Sequence, residues 1–530
     1  MKNLILDLKL SDTKSHNLFR YMLFISWACI GLYLASKHVF WRDEVRALSF
    51  ALQGNNFVEM LVAVHGEGHP ALWYVLLRSA HVFWNHPQVL PIVAFVVAAL
   101  SFWLLVFRSQ FSLLLIALIL ASNFALYEYS VMARNYGISM LILFMIAICY
   151  KKYRYRGVML GILLFLLANC NVHSVILVCS FLMFWFFDSI FEKDVNRKKF
   201  LKVFVLNAAI AMLGIIACFL TIYPTFNDAV RTGMGMPDVI TFKMLINAIV
   251  FPGFSFYHTN SLINLPSEVY YKYLATLLLY GSPLVLIKRP SAMFATWATL
   301  IVFSCFFRFI YPGSYRHEVL WLVFLISMYW VCCSDEKQVV QKISNTKNSL
   351  LTVNTVKATG YVFLMCLMVM QVELALFKTI PRVVSGLPES RSRDLGLFID
   401  SKPELKDAII IAEEDYMLES LPYYINNPTY LMREQKFSRI TFFTKKARLN
   451  LTLDDILITA NNLKTDLAKP VVVLLSHKLN SAAPQVIKEG YNWTLTTTPD
   501  QVQHFLKATS FMVNFRPTDS GESYDVYLLK

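Results

Sequence analysis

Long uncharged apolar runs recur along the chain, and residues 89–107 form one with no charged side chain. Several such runs approach or exceed the roughly 18 residues that mark a membrane-spanning helix. Without water, backbone groups must be satisfied within a segment, so the runs must become helices. They are continuous rather than alternating, which excludes an outer-membrane barrel. Composition agrees: 56% of the 530 residues are hydrophobic and 16% charged, and the mean hydropathy is +0.50. An ordinary soluble enzyme, a disordered chain and a disulfide scaffold are excluded.

The net charge is +14. In a soluble protein this would suggest nucleic acid. Here the basic residues sit mostly in short loops between apolar runs, where they set orientation, and no nucleic-acid partner is expected. The nine cysteines lie between Cys29 and Cys366, in or beside apolar runs. They read as small buried hydrophobes, and no Cys/His spacing suggests zinc.

The first span is predicted over 18–36, preceded by Lys2, Lys9, Lys14 and Arg20. No small-residue cleavage site follows it, so it reads as a retained signal anchor with a cytoplasmic N-terminus. Further spans are predicted over 89–107, 111–127, 137–150, 157–173, 174–188, 201–223, 269–287, 291–311, 317–333 and 352–377. Alternation then makes Arg108, the 151–156 cluster, Arg197-Lys198-Lys199, Lys288-Arg289 and 334–350 cytoplasmic, and all are basic. Residues 71–83, interrupted by Arg78, are too short to span; counted as a span, they would place most basic clusters outside. The reading is about eleven spans plus one interfacial helix, an α-helical polytopic membrane protein.

After about Ser385 charged residues increase and apolar runs shorten. Strand-like runs at 408–412, 439–443, 470–475 and 526–529 alternate with helical stretches, one at 453–463. This pattern predicts a soluble α/β domain with a partly parallel sheet. The division is 1–384 transmembrane and 385–530 α/β, the latter on the outer, periplasmic face and without catalytic residues of its own.

The outward loops collect polar residues: Arg42-Asp43-Glu44, 65–70, 128–136, 171–173, 224–268 and 311–318. Polar groups near membrane depth are costly and mark function. A carboxylate of Asp43-Glu44 can act as general base, or pair with Arg42 or Arg46 as a surface ion pair. His65 and His69 are four apart, but Gly66, Gly68 and Pro70 make that segment a loop, not a metal-binding helix. Arg134 is outward against the positive-inside bias. It can fork onto a phosphate or snorkel to headgroups. His173 and the Ser314-Tyr315-Arg316-His317-Glu318 segment complete a set suited to a polyanion.

Three motifs in order carry a resemblance: Trp41-Arg42-Asp43-Glu44, His69-Pro70-Ala71-Leu72-Trp73-Tyr74, and Tyr129-Ser130-Val131-Met132-Ala133-Arg134-Asn135-Tyr136. Over about residues 18–330 the chain resembles the GT-C superfamily of membrane glycosyltransferases, in the bacterial branch near the protein O-mannosyltransferases and lipid A aminoarabinose transferases. Ala71 and Asn135 replace that branch's usual prolines. The resemblance implies a polyprenyl-phosphate sugar donor, a lipid, glycan or protein acceptor, and inverting hexosyl or pentosyl transfer at the periplasmic face of the bacterial inner membrane. It implies Asp43 as base, with Glu44 orienting it or the acceptor, though which of the two acts as base stays open. Arg134 and Arg316 would stabilise the leaving phosphate. His69, His173 and His317 would bind sugar or phosphate, with Tyr136 among the substrate-binding residues. No cofactor and no metal is implied.

The alternative is a transporter or flippase of a lipid-linked envelope precursor. That reading expects charges at mid-span, whereas most charges here lie at span ends, Glu373 being the candidate exception. A phosphoethanolamine transferase would need a Thr nucleophile and a zinc site, but the tail holds only His477 and His504 and no cysteine.

Overall fold

The computed structural model describes all residues except 1–13, 193–195, 224–238, 257–267, 340–346, 445, 489 and 519–520. Among the described residues, eight helices are long and apolar enough to cross a membrane. They are α1 (Lys14–Lys37), α5 (Val89–Arg108), α7 (Tyr136–Tyr153), α9 (Val172–Phe191), α10 (Arg197–Ile222), α13 (Pro290–Phe309), α14 (Tyr315–Val339) and α15 (Lys347–Leu374), which runs on through a π-turn into α16 (Ile380–Val384). The three other predicted spans are helical but interrupted. Residues 111–127 form α6 (Leu113–Leu120) and then a π-turn at Phe124–Glu128. Residues 157–173 hold α8 (Met159–Ala168), and 269–287 hold α12 (Glu268–Gly281) followed by a 3-10 turn. A ten-residue helix such as α8 is about 15 Å long, half the roughly 30 Å hydrocarbon core. Most of the predicted 224–268 outward loop lies outside the described residues; α11 (Phe242–Val250) falls within it.

The predicted interfacial helix is α4 (Leu72–Phe83), which buries Trp73, Tyr74 and Leu77 and leaves Val82 and Phe83 exposed. Two short helices precede it, α2 (Arg42–Ala51) and α3 (Phe57–Val64). Local chemistry sets several helix starts. Ser112, Asn171 and Asn196 accept hydrogen bonds from the backbone N–H three residues on, opening α6, α9 and α10. Such caps satisfy donors that the helix itself leaves open.

Small residues let α8 and α10 touch. A Cβ on Gly161 would lie 2.9 Å from the Asn207 backbone, and one on Gly214 would lie 2.7 Å from Phe165 Cα. Asn207 donates to Gly157 O and accepts from Gly161 N, and Asn169 donates to Gly214 O at 3.1 Å. Close small-residue contact and interhelical hydrogen bonds are what hold helices together in lipid.

The predicted cytoplasmic loops meet one another: Asp188 pairs with Arg289 and Arg154, and Lys151 donates to Ser334 O. The segments predicted to face outward meet the α/β unit at the other end. Ser392 Oγ donates to Phe40 O at 3.0 Å, and Phe40 N donates to the Tyr424 hydroxyl at 2.8 Å.

The α/β unit opens with α17 (Ser392–Asp400). Its strands are β1 (Ile409–Glu413), β2 (Thr429–Leu431), β3 (Lys436–Phe437), β4 (Asn450–Thr452), β5 (Val471–Leu475), β6 (Gln485–Lys488), β7 (Thr494–Thr497), β8 (Thr509–Phe515) and β9 (Tyr524–Leu529). Six form one sheet in the order β3-β2-β1-β5-β9-β8, and β4-β7-β6 form a second. β1 runs parallel to β2 and β5, while β9 pairs antiparallel with β5 and β8. β1 and β5 are buried on both faces, which explains their unbroken apolar sequence. Ile409, Ile411, Val471 and Val473 pack with α18 (Leu453–Leu467) on one side, and Ile410, Ala412, Val472 and Leu474 pack with α17 and the 415–423 3-10 turn on the other.

The strand expected at 439–443 is absent: these residues form an irregular loop, with Phe443 at φ 51°. Their N–H groups go to side chains rather than to a neighbouring strand, Thr441 N to Glu419 at 2.7 Å and Phe442 N to Glu434 at 2.6 Å.

Gly214→Val would force α8 from α10. Overpacking of this kind costs about 1–3 kcal/mol. Its thermal midpoint in detergent is expected several degrees below wild type, whereas the exposed Leu213→Val stays near it; equal midpoints would show that the contact is dispensable.

Candidate active site

α2 begins one residue after Trp41, so Asp43 and Glu44 fall in its first turn, where carboxylates are favoured by the free N–H groups. Neighbours in sequence, they face different surroundings. Glu44 is fully buried. It accepts from Ala133 N at 2.6 Å and Trp41 N at 3.3 Å, and pairs with His38 Nε2 at 2.9 Å. His38 Nδ1 faces the Tyr127 hydroxyl at 2.9 Å. Glu44 thus ties α2 to the 129–136 segment and offers no accessible oxygen.

Asp43 keeps a third of its side chain exposed. Arg134 Nη1 donates to Asp43 O at 2.7 Å and stands 3.2 Å from its carboxylate. Arg42 Nε lies 3.8 Å from the same carboxylate. Burial pushes the Asp43 carboxyl up, but Arg134, Arg42 and Arg316 outweigh it and hold it at about 2.

A chain of pairs runs on from Arg134. Its Nη2 lies 3.4 Å from His69 Nε2, and His69 Nδ1 is 2.9 Å from Glu67. The carboxylate requires the proton on Nδ1, leaving Nε2 to face the guanidinium as acceptor. Glu67 also accepts from the Tyr74 hydroxyl and from Arg46 Nε at 3.2 Å. Burial raises the Glu67 carboxyl, but His69, Arg46 and Tyr74 override it and bring it to about 2. Arg46 Nη1 then pairs with Glu419 of the α/β unit and donates to Thr441 O. His65 Nδ1 instead bonds Leu220 O at 2.8 Å, so the two histidines of that loop do not converge.

A second group lies at the starts of α7, α9 and α14. His317 Nδ1 accepts from Ser314 N at 2.9 Å, which leaves Nε2–H to donate to the Tyr136 hydroxyl at 2.7 Å. His173 stacks on His317, their ring centroids 4.5 Å apart and tilted 19°. Asn171 caps α9 and sets His173 in its first turn. Both His173 ring nitrogens are buried without a hydrogen-bond partner. Arg316 packs over Trp41 and stands 3.4 Å from Glu128. Its Nη1 is also buried and unpartnered, as is Trp41 Nε1. Unmet buried donors cost about 1–3 kcal/mol each, a cost that a bound ligand can remove. Among the described residues, no three His, Cys, Asp or Glu side chains group as a metal site would require.

The structure therefore joins Asp43, Arg134 and His69 directly, and gathers Tyr136, His173 and His317 beside Arg316. Glu44 stands apart from both groups. The sequence reading missed the roles of Glu67, Arg46, Tyr74, Glu419 and Glu522. Glu67 and Arg46 lie inside the inspected motifs and carried a signal in their charge. Glu419 and Glu522 are far away in sequence and carried none.

No family model matches the chain, and no curated protein sequence does. Among solved structures, the crystal structure of ArnT from Cupriavidus metallidurans in the apo state is similar over 96% of this chain and 97% of that chain, at 12% identity and a TM-score of 0.47.

Glu522 accepts from Arg42 N at 3.1 Å. Burial lifts its carboxyl to about 7, only partly opposed by Arg42. The folded state then holds a proton that the unfolded chain, with the ordinary value of 4.5, releases. This contribution is fully present below pH 4.5 and is lost as pH rises through 7. The thermal midpoint should fall by a few degrees between pH 5 and 8, and Glu522→Gln should flatten the fall; an unchanged slope in the variant would assign it to another group.

Proposed function

We propose that the protein is a glycosyltransferase that moves a sugar from a polyprenyl-phosphate donor to an acceptor hydroxyl or amine on the outer face of a bacterial inner membrane. The N-terminus would be cytoplasmic and the α/β unit periplasmic. The observation that carries this reading is the pairing of a partly exposed carboxylate, Asp43, with a guanidinium on each side, next to a third, Arg316, that has a buried unpartnered nitrogen. The three-motif resemblance supplies the reaction class.

In the inverting reaction the acceptor's O–H or N–H proton passes to Asp43 while its heteroatom bonds to the anomeric carbon. The bond from that carbon to the phosphate oxygen breaks, and the electron pair stays on the phosphate. Arg134 and Arg316 face the charge gained there, the step at which fixed cations help most. A carboxylate held at about 2 is a weak base. A donor phosphate drawing on Arg134 and Arg316 would relieve their pull on Asp43 and raise its basicity in the complex. Free enzyme thus keeps Asp43 ionised, and bound donor readies it to take the proton. His69 is held by Glu67 to present Nε2 toward Arg134, and the unpartnered His173 nitrogens suit sugar hydroxyls.

Asp43→Asn keeps the shape and removes the base. Transfer from a polyprenyl-phosphate sugar should drop at least about 10²-fold, the lower range for general-base removal, with normal folded yield. Arg134→Lys should be nearly as damaging as Arg134→Ala, because lysine keeps the charge but not the fork. Near-wild-type transfer by folded Asp43→Asn would remove Asp43 from the mechanism, and full activity of Arg134→Lys would reduce Arg134 to a simple cation.

A further inference from the structure

A cleft opens where α1 and α16 end and the α/β unit begins. Its lining includes Lys37, His38, Tyr127, Arg382, Arg391 and Arg393. Two of these cations are offset by acids of the same cleft, Arg382 by Glu389 at 2.6 Å and Arg391 by Asp394 at 2.8 Å. Lys37 and Arg393 form no ion pair among the described residues, so the cleft carries two uncompensated positive charges. Beyond the lining, the helices that end at the cleft carry exposed apolar side chains: Leu32 and Tyr33 of α1, and Leu376, Phe377 and Val384 of the α15–α16 stretch.

We propose that this cleft binds the phosphate headgroup of an anionic membrane lipid, with an acyl chain lying along α1 and the α15–α16 stretch. A soluble anion would use the cations but leave the apolar strip bare. A lipid with a phosphate head uses both, and cationic groups at the membrane surface favour such heads. The site is separate from the transfer centre and does not rest on the transfer reaction. It adjoins that centre: the cleft residue His38 holds Glu44, which in turn fixes Ala133 beside Arg134, and Arg391 N donates to Glu522 O while Glu522 accepts from Arg42 N.

The full chain in detergent, titrated with dioleoyl phosphatidic acid and read by native mass spectrometry, tests this. Wild type should retain phosphatidic acid, and Lys37→Gln/Arg393→Gln should retain it at least about tenfold more weakly. The control Lys151→Gln/Lys152→Gln, at the opposite end of the helices, should match wild type. Should the double variant fold poorly by its thermal midpoint, Arg393→Gln alone should still weaken retention at least about threefold. Unchanged retention in the cleft variants, or an equal loss in the control, would overturn the site. Glycerol 3-phosphate competing as well as the lipid would overturn the seated acyl chain and leave a headgroup-sized anion site instead.

Discussion

Charge buried at a membrane boundary is tolerable only when paired, and one run of pairs organises this molecule. It leads from Asp43 through Arg134, His69 and Glu67 to Arg46 and Glu419. Removing one partner of a buried pair typically costs 3–5 kcal/mol, because the other charge is stranded. The α2 turn, the 65–70 loop, the 129–136 segment and the α/β unit are therefore held in one arrangement. None of them has enough local structure to fix that arrangement alone.

The same run explains why neighbouring carboxylates divide their work. Glu44 spends both oxygens on backbone N–H groups and His38, which makes it a brace. Asp43 pairs with cations yet stays partly open, which makes it available. The buried nitrogens of His173, Arg316 and Trp41 that lack a partner offer donors or acceptors to a ligand. Fully paired charge builds the frame, and the incompletely satisfied groups of the site keep hydrogen-bonding capacity free.

Much of this was legible from sequence. Apolar run length and basic loop placement located the helical passages, because both follow from the bilayer's thickness and potential. The α6, α8 and α12 passages kept their positions but not their continuity: Ser282-Pro283 and Asn169, which break or end helices, were hidden within apolar surroundings. β1, β5 and β9 were readable as buried strands. The 439–443 run was misread because its alternating apolar residues serve a loop whose N–H groups bind Glu419 and Glu434. That choice depends on side chains about ten to twenty residues upstream, which periodicity does not register. The candidate site residues stand out in the sequence through charges placed against the expected bias, as Arg134 shows. Their partners Glu419 and Glu522 come from the α/β unit, and only the folded chain brings them to α2.

The central claim is that the open carboxylate and its guanidinium neighbours serve transfer of a lipid-carried sugar. Mass spectrometry of polyprenyl-phosphate sugars and envelope glycans, from cells with and without the protein, tests it most directly. Loss of the protein should leave one polyprenyl-phosphate sugar accumulated and one envelope glycan or glycolipid short of that sugar. Identical donor pools and identical envelope glycans in the two strains would contradict the account.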